Sequence, residues 1–282
     1  MMEQQQATQS PAPDAAHMNG VARLRAAFAA AKAAGRPAFI PYITVGHPER
    51  DTADAVGPAL AAAGADIIEL GVPFSDPLAD GVVVQRSTQT ALTNGITLDA
   101  CFATVARLRA GGLTTPIVFL SYINPIEQRG VASFAAACAK AGVDGVNVPD
   151  LPVEEAGELR AACDQYGVAL IPFLAPTSTP ERIAVVAEIA TGFVYCVGVT
   201  GVTGARAALA DDLGAFLARV RERVSLPLAV GFGMSRPEHV AAVGAMADGV
   251  IVGSALVRRL EELPSVERAA GAAAFVHWLR GE

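Results

Sequence analysis

Ala63-Gly64-Ala65-Asp66-Ile67-Ile68-Glu69-Leu70 is the stretch that decides how this chain folds. Its glycine ends a helix in a left-handed conformation that residues with side chains resist. A short apolar run follows and reads as a buried strand. The phrase returns at Ala141-Gly142-Val143-Asp144 and, more loosely, at Tyr166-Gly167-Val168-Ala169. Short strands are expected near 38–45, 66–70, 116–121, 145–148, 169–173, 193–197, 227–231 and 249–252. They are apolar on both faces, as parallel strands covered by helices must be.

Helices fill the intervals. One is expected over 19–34 with Asn19 as its cap, one from Asp51 to about Ala63, and others over 98–110, 131–141, 153–165, 180–190 and 207–223. A further helix spans 236–247, with Ser235 as cap and Pro237 in the first turn, and 255–262 and 265–280 close the chain. The stretches 71–97 and 198–206 read as long loops. Eight strand-helix units in about 250 residues match a closed (β/α)8 TIM barrel, here with an extra N-terminal helix. An open doubly wound sheet is the competitor, but it usually has fewer strands, and no early GxGxxG is present. The domain is expected to cover residues 19–282, after a disordered extension over 1–18 rich in Gln, Ala, Ser and Pro.

Of the 282 residues, 52% are hydrophobic and 17% charged, enough for a substantial core. The net charge of −7, with no basic block, argues against generic nucleic-acid binding. No apolar run approaches the ~20 residues of a membrane span, and no cationic start precedes an apolar core as in a signal peptide. Cys101, Cys138, Cys163 and Cys196 lie widely spaced in apolar segments and form no metal pattern. They read as buried reduced thiols of a cytoplasmic protein.

Glu69 stands at the inner end of an apolar strand, where a charge must be paired, neutralised or used. The loop behind it, Gly71-Val72-Pro73-Phe74-Ser75-Asp76-Pro77-Leu78-Ala79-Asp80-Gly81, carries two more carboxylates. In a barrel the strand C-termini converge, so Glu69 and Asp80 can face one pocket and divide acid and base roles. The competing reading is that Glu69 makes a buried salt bridge and Asp80 caps a helix near Gln85. Asp76 organises the loop or touches a partner. Glycine-rich turns follow strands 6, 7 and 8: Gly198 to Gly204, Gly231-Phe232-Gly233 and Gly253-Ser254. The last two suit phosphate binding by backbone N–H groups at a helix N-terminus, although tight turns alone would also explain them. His47 reads as part of a solvated turn, and Trp278 as packing a terminal helix against the barrel.

The chain resembles the tryptophan synthase alpha subunit family from about Asn19 to Glu262. The resemblance rests on Glu69 to Gly81, Phe39-Ile40-Pro41-Tyr42-Ile43-Thr44, Tyr122-Ile123-Asn124-Pro125, Pro149-Asp150-Leu151-Pro152, Thr200 to Arg206, Gly231-Phe232-Gly233 and Gly253-Ser254-Ala255. It implies a retro-aldol lyase that cleaves indole-3-glycerol phosphate to indole and glyceraldehyde 3-phosphate. Glu69 would do the acid-base work, and Asp80 would bind the indole N–H. Gly204, Gly233, Gly253 and Ser254 would hold the phosphate. Tyr42, Leu120, Tyr122, Tyr195, Thr203, Phe232 and Ile251 would surround the indole or close the site. The resemblance implies no metal or cofactor in this chain. Pyridoxal phosphate would belong to a beta subunit in an alpha2-beta2 complex, which receives indole through a tunnel and docks near Pro73 and Asp76. Asn147 stands where the family usually has an aliphatic residue, so its amide must find a partner, and Gly198 replaces a more usual serine.

Three other readings share parts of this pattern: a stand-alone lyase releasing indole, a non-catalytic barrel that activates a partner, and a phosphate-binding isomerase or decarboxylating synthase. The last commonly uses a lysine near a strand end, and the only lysines are Lys32 and Lys140, both in expected helices.

Overall fold

The computed structural model describes residues 18–198, 206–231 and 233–282. Among them nine strands form one parallel sheet: β1 (Ala38–Thr44), β2 (Ile68–Gly71), β3 (Ile117–Leu120), β4 (Gly145–Asn147), β5 (Ala169–Leu170), β6 (Phe173–Leu174), β7 (Val194–Val197), β8 (Leu228–Gly231) and β9 (Gly249–Val252). Their order is β5-β4-β3-β2-β1-β9-β8-β7-β6. The two ends of that order are neighbours in the chain. The expected strand over 169–173 is split at Ile171-Pro172, because proline has no N–H to give a ladder. Its first half pairs with β4 and its second half with β7. At the break, Ile171 N–H still donates to Val146 O at 2.9 Å, and Pro172 O accepts from Tyr195 N–H at 3.0 Å. The sheet therefore closes on itself through one interrupted stave, the (β/α)8 arrangement with additional helices.

The helices are α1 (Gly20–Ala33), α2 (Thr52–Ala62), α3 (Val82–Thr93), α4 (Leu98–Ala110), α5 (Ile123–Arg129), α6 (Val131–Ala141), α7 (Gly157–Tyr166), α8 (Pro180–Ile189), α9 (Arg206–Arg221), α10 (Pro237–Gly244), α11 (Ser254–Glu262) and α12 (Arg268–Arg280). Several differ from the sequence reading. The stretch 71–97 is not all loop, since α3 occupies most of its second half. The Val82-Val83-Val84 run hid it, and its buried face (Ser87, Thr88, Ala91) is too polar and small to give a hydrophobic period. Helix α5 was also unread. Tight 3-10 turns at Val153–Glu155 and Ser265–Glu267 precede α7 and α12, where single helices were expected. Asn19 does cap α1, accepting from Ala22 N–H. Ser235 does not cap α10; Arg236 holds that position without a side-chain bond.

Strand alternation sorts the core into two shells. Inward residues Ile40, Ile67, Val118, Ile171, Phe193 and Ile251 share one cluster with Leu24 and Phe28, so α1 plugs the N-terminal mouth of the barrel. Outward residues such as Phe39, Ile68, Leu70, Phe119 and Val250 pack under the surrounding helices. A Cβ on Gly249 would stand 2.9 Å from the Phe28 ring, so glycine there lets the plug seat.

The aspartates of the helix-to-strand phrases do specific work at this end. Asp66 accepts from Phe39 N–H at 2.8 Å and takes both Arg36 guanidinium nitrogens. Asp144 accepts from Ile117 N–H at 2.7 Å and pairs with Arg109 and Arg23. Asp248 accepts from Leu228 N–H at 2.8 Å and pairs with Arg221. Each clamps the neighbouring strand's first turn of backbone, leaving the opposite rim free for chemistry. One further reading is corrected: His47 is buried beside Glu261. Trp278 is 47% exposed and stacks on Phe275 of its own helix.

Candidate active site

Residues along β2 alternate faces, so Glu69 shares the inward face of Ile67 while Ile68 and Leu70 point to the helices. Its register neighbours are Tyr42 on β1 and Val118 on β3. Glu69 is 1% exposed. Among the described residues no cation pairs with it, so the salt-bridge reading fails there. Its hydrogen-bond partner is Asn147, at the end of β4, whose Nδ2 donates to Oε1 at 2.6 Å. Burial raises the Glu69 pKa to about 7; the Asn147 bond works against that rise, and the nearby Asp80 charge adds to it.

Asp80 is presented by the turn after β2. Leu78 N–H donates to Asp76 O at 2.9 Å and Asp80 N–H to Pro77 O at 3.1 Å. Tyr122, just beyond β3, clamps the turn: its hydroxyl accepts from Ala79 N–H at 3.0 Å, and its ring lies 5.3 Å from that of Phe74. Gln85 on α3 donates to Asp80 O at 2.8 Å, so the aspartate meets the helix through its backbone carbonyl. Burial raises the Asp80 pKa to about 6, with the Tyr122 hydroxyl holding it down.

Both carboxylates open on one cavity of about 370 Å³ at the strand C-termini. Tyr42, Leu120, Tyr195 and Ile251 line it with Val82, Val83 and Val84 from the start of α3. Two glycines set the tyrosines. A Cβ on Gly71 would come within 2.1 Å of the Tyr42 hydroxyl, and one on Gly231 within 2.4 Å of the Tyr195 hydroxyl. Each phenol therefore lies against bare backbone. The Tyr42 hydroxyl bonds Thr44 Oγ1 at 3.1 Å, which bonds Ser87 Oγ on α3 at 2.7 Å. That chain ties the cavity wall to the helix that carries the three valines.

The far side of the cavity is Gly233, Gly253 and Ser254. Ser254 is the first residue of α11 and Gly253 its N-cap. The first backbone N–H groups of a helix have no internal partner and carry its positive dipole end, so this corner suits an anion. The cavity thus joins an aromatic slot, two carboxylates of raised pKa and an anion-binding corner.

Of the candidate residues, Tyr42, Glu69, Asp80, Leu120, Tyr195, Gly233, Ile251, Gly253 and Ser254 meet around this one space. Tyr122 sits behind the Asp80 turn instead of lining it. Thr203, Gly204 and Phe232 lie outside the described residues. Asp76 is exposed and Pro73 is buried. Sequence reasoning missed the valines of α3 and the seat provided by Gly231. An unbroken apolar triplet straight after an acidic turn was the available signal for the valines.

The family model of the tryptophan synthase alpha chain matches residues 28–277. The tryptophan synthase alpha chain of Roseiflexus sp. (strain RS-1) is 53% identical over 261 residues, covering 93% of this chain and 100% of that one. That of Geobacter sulfurreducens is 46% identical over 260 residues, covering 92% and 98%. Among solved structures, tryptophan synthase subunit alpha from Legionella pneumophila str. Paris is similar with a TM-score of 0.85 at 34% identity, over 92% of this chain and 97% of that one. Tryptophan synthase from M. tuberculosis in an open form gives a TM-score of 0.81 at 35% identity, over 92% and 98%.

Proposed function

The chain belongs to the tryptophan synthase alpha chain family, a family of lyases, and on that premise we propose that it cleaves indole-3-glycerol phosphate to indole and glyceraldehyde 3-phosphate. The observation that carries this is the pairing of a buried Glu69, which no described cation neutralises, with Asp80 in a cavity that ends at the α11 N-terminus.

The scissile bond joins indole C3 to the glycerol carbon that bears a hydroxyl. Indole leaves poorly as a carbanion, so C3 must first gain a proton. Protonated Glu69 gives its proton to C3, and the ring becomes an indoleninium cation. The ring N–H donates to Asp80, whose negative charge stabilises the cation as it forms. Glu69, now a carboxylate, takes the glycerol hydroxyl proton. The oxygen electrons form the aldehyde C=O, and the C–C pair returns to the ring. Glu69 ends protonated, as it began, and no proton is left over. A pKa of about 7 suits a group that must act both ways near neutral pH. Tyr42, Leu120, Tyr195 and Ile251 hold the flat ring, and the N–H groups at Gly253 and Ser254 hold the phosphate.

Indole would then pass to a beta subunit that docks over this rim. Leu78, in the turn that presents Asp80, and Val82, which lines the cavity, are large apolar residues left exposed, and they support that surface. The test is an assay of indole release from indole-3-glycerol phosphate, with and without a beta subunit. Indole formation stimulated by the partner is expected. No indole in either condition overturns the reading; full activity without a partner favours a stand-alone lyase.

A further inference from the structure

We propose that Asn147 is a positioning residue for Glu69: its amide holds one carboxylate oxygen, sets the side chain's direction into the cavity, and holds the carboxyl in a form that can both give and take a proton. The inference rests on the lyase reading for its kinetic consequences, but its structural core does not.

Asn147 ends β4 and Glu69 lies in β2, with β3 between them. Both side chains are essentially sealed, at 0% and 1% exposure. The bond from Nδ2 to Oε1 is 2.6 Å, short for an N–H···O hydrogen bond. The remaining barrel-interior neighbours near this level are apolar or phenolic: Val118, Leu120, Tyr42, Tyr195 and Ile171. None is a cation, and the titratable group acting on Glu69 across the cavity, Asp80, opposes its charge. The Asn147 amide is therefore the group among the described residues that favours the anion. It occupies Oε1, so Oε2 is the oxygen left for the reacting atoms.

Asn147 Oδ1 is buried and has no hydrogen-bond partner among the described residues. An unpaired buried carbonyl is costly, and an aliphatic residue of the same size would remove that cost. An amide can also serve both protonation states of its neighbour. Its N–H groups donate to the carboxylate, and after a flip Oδ1 accepts from the carboxylic acid. A residue that only packed the barrel would not need either capacity.

Asn147→Leu keeps the branched shape and the heavy-atom count and removes both polar atoms. Losing a hydrogen bond to a charged group should raise the Glu69 pKa by about one to two units. The titration is read directly by infrared difference spectra of the carboxyl band against pH, with Glu69→Gln as the blank. This readout needs no turnover. In the indole-release assay, kcat should fall about tenfold or more while KM changes little. The alkaline limb of the kcat profile should move up by the same one to two units. Should Asn147→Leu not fold, Asn147→Ala is titrated in its place. An unmoved carboxyl titration overturns the inference, whether or not the protein turns over substrate. Absence of lyase activity in the unsubstituted protein, with the carboxyl titration shifted as expected, would defeat the function and leave the positioning role standing.

Discussion

Replacing Glu69 by glutamine should stabilise the protein at alkaline pH while destroying its activity. Glu69 titrates at about 7 in the folded chain against an ordinary 4.5, chiefly because burial disfavours its charge. The native state thus binds this proton more tightly than the unfolded state does. Below pH 4.5 the group is neutral in both states and exacts nothing. Between 4.5 and 7 stability falls as pH rises, and above 7 the whole cost is present. A gap of about two and a half units corresponds to about 3 kcal/mol, and at 1% exposure solvent screening takes little from it. Glutamine has the same shape and no charge. Its oxygen can keep the Asn147 bond. Urea unfolding of both proteins from pH 4 to pH 9 should show no difference at the acid end and a gain of about 3 kcal/mol for Glu69→Gln above pH 8. Indole release should fall by about 10³-fold or more. A stability difference that does not change with pH, or a variant less stable at pH 8, would refute the electrostatic account. Normal turnover would refute the chemical one.

Four further outcomes are expected. Asp80 must be ionised and Glu69 must start protonated, so kcat should rise through about pH 6 and fall through about pH 7. Asp80→Asn should lose most activity together with the acid limb; a surviving acid limb would assign it to another group. Gly71→Ala would push the Tyr42 phenol into the cavity, since the new Cβ lands 2.1 Å from its hydroxyl. Its kcat/KM should fall at least about tenfold with the fold intact by circular dichroism, and unchanged kinetics would show that Tyr42 has room to yield. Asp144→Ala leaves Arg109, Arg23 and the Ile117 N–H without their shared acceptor. It should lose about 3–5 kcal/mol in urea unfolding, and a loss under about 1 kcal/mol would mean that the clamp is not structural.

The barrel was readable because its cause is local and repeated. A helix stop, a short two-faced apolar run and another helix recur along the chain, and that pattern has few folded solutions. Glu69 was readable for a related reason: a carboxylate inside an apolar strand conflicts with local preference, and such conflicts gather at functional sites. Helix α3 was not readable, because β-branched residues open it and its buried face is Ser87, Thr88 and Ala91. The split at Pro172 was visible as a proline, but that the two halves serve opposite neighbours follows only from closure of the sheet.

The units, their parallel arrangement, the inward carboxylate and the acidic turn are legible in the chain alone, since each depends on residues close together in it. Which distant residues act on those groups follows only from the folded barrel. The Asn147 amide, 78 positions from Glu69, lies within hydrogen-bond reach only because β4 stands two staves from β2. The Asp80 turn meets Tyr122, and Tyr42 and Tyr195 find glycine backbones to lie on, for the same reason. Burial and these contacts set the two carboxyl pKa values, and both depend on what surrounds a group in space rather than along the chain.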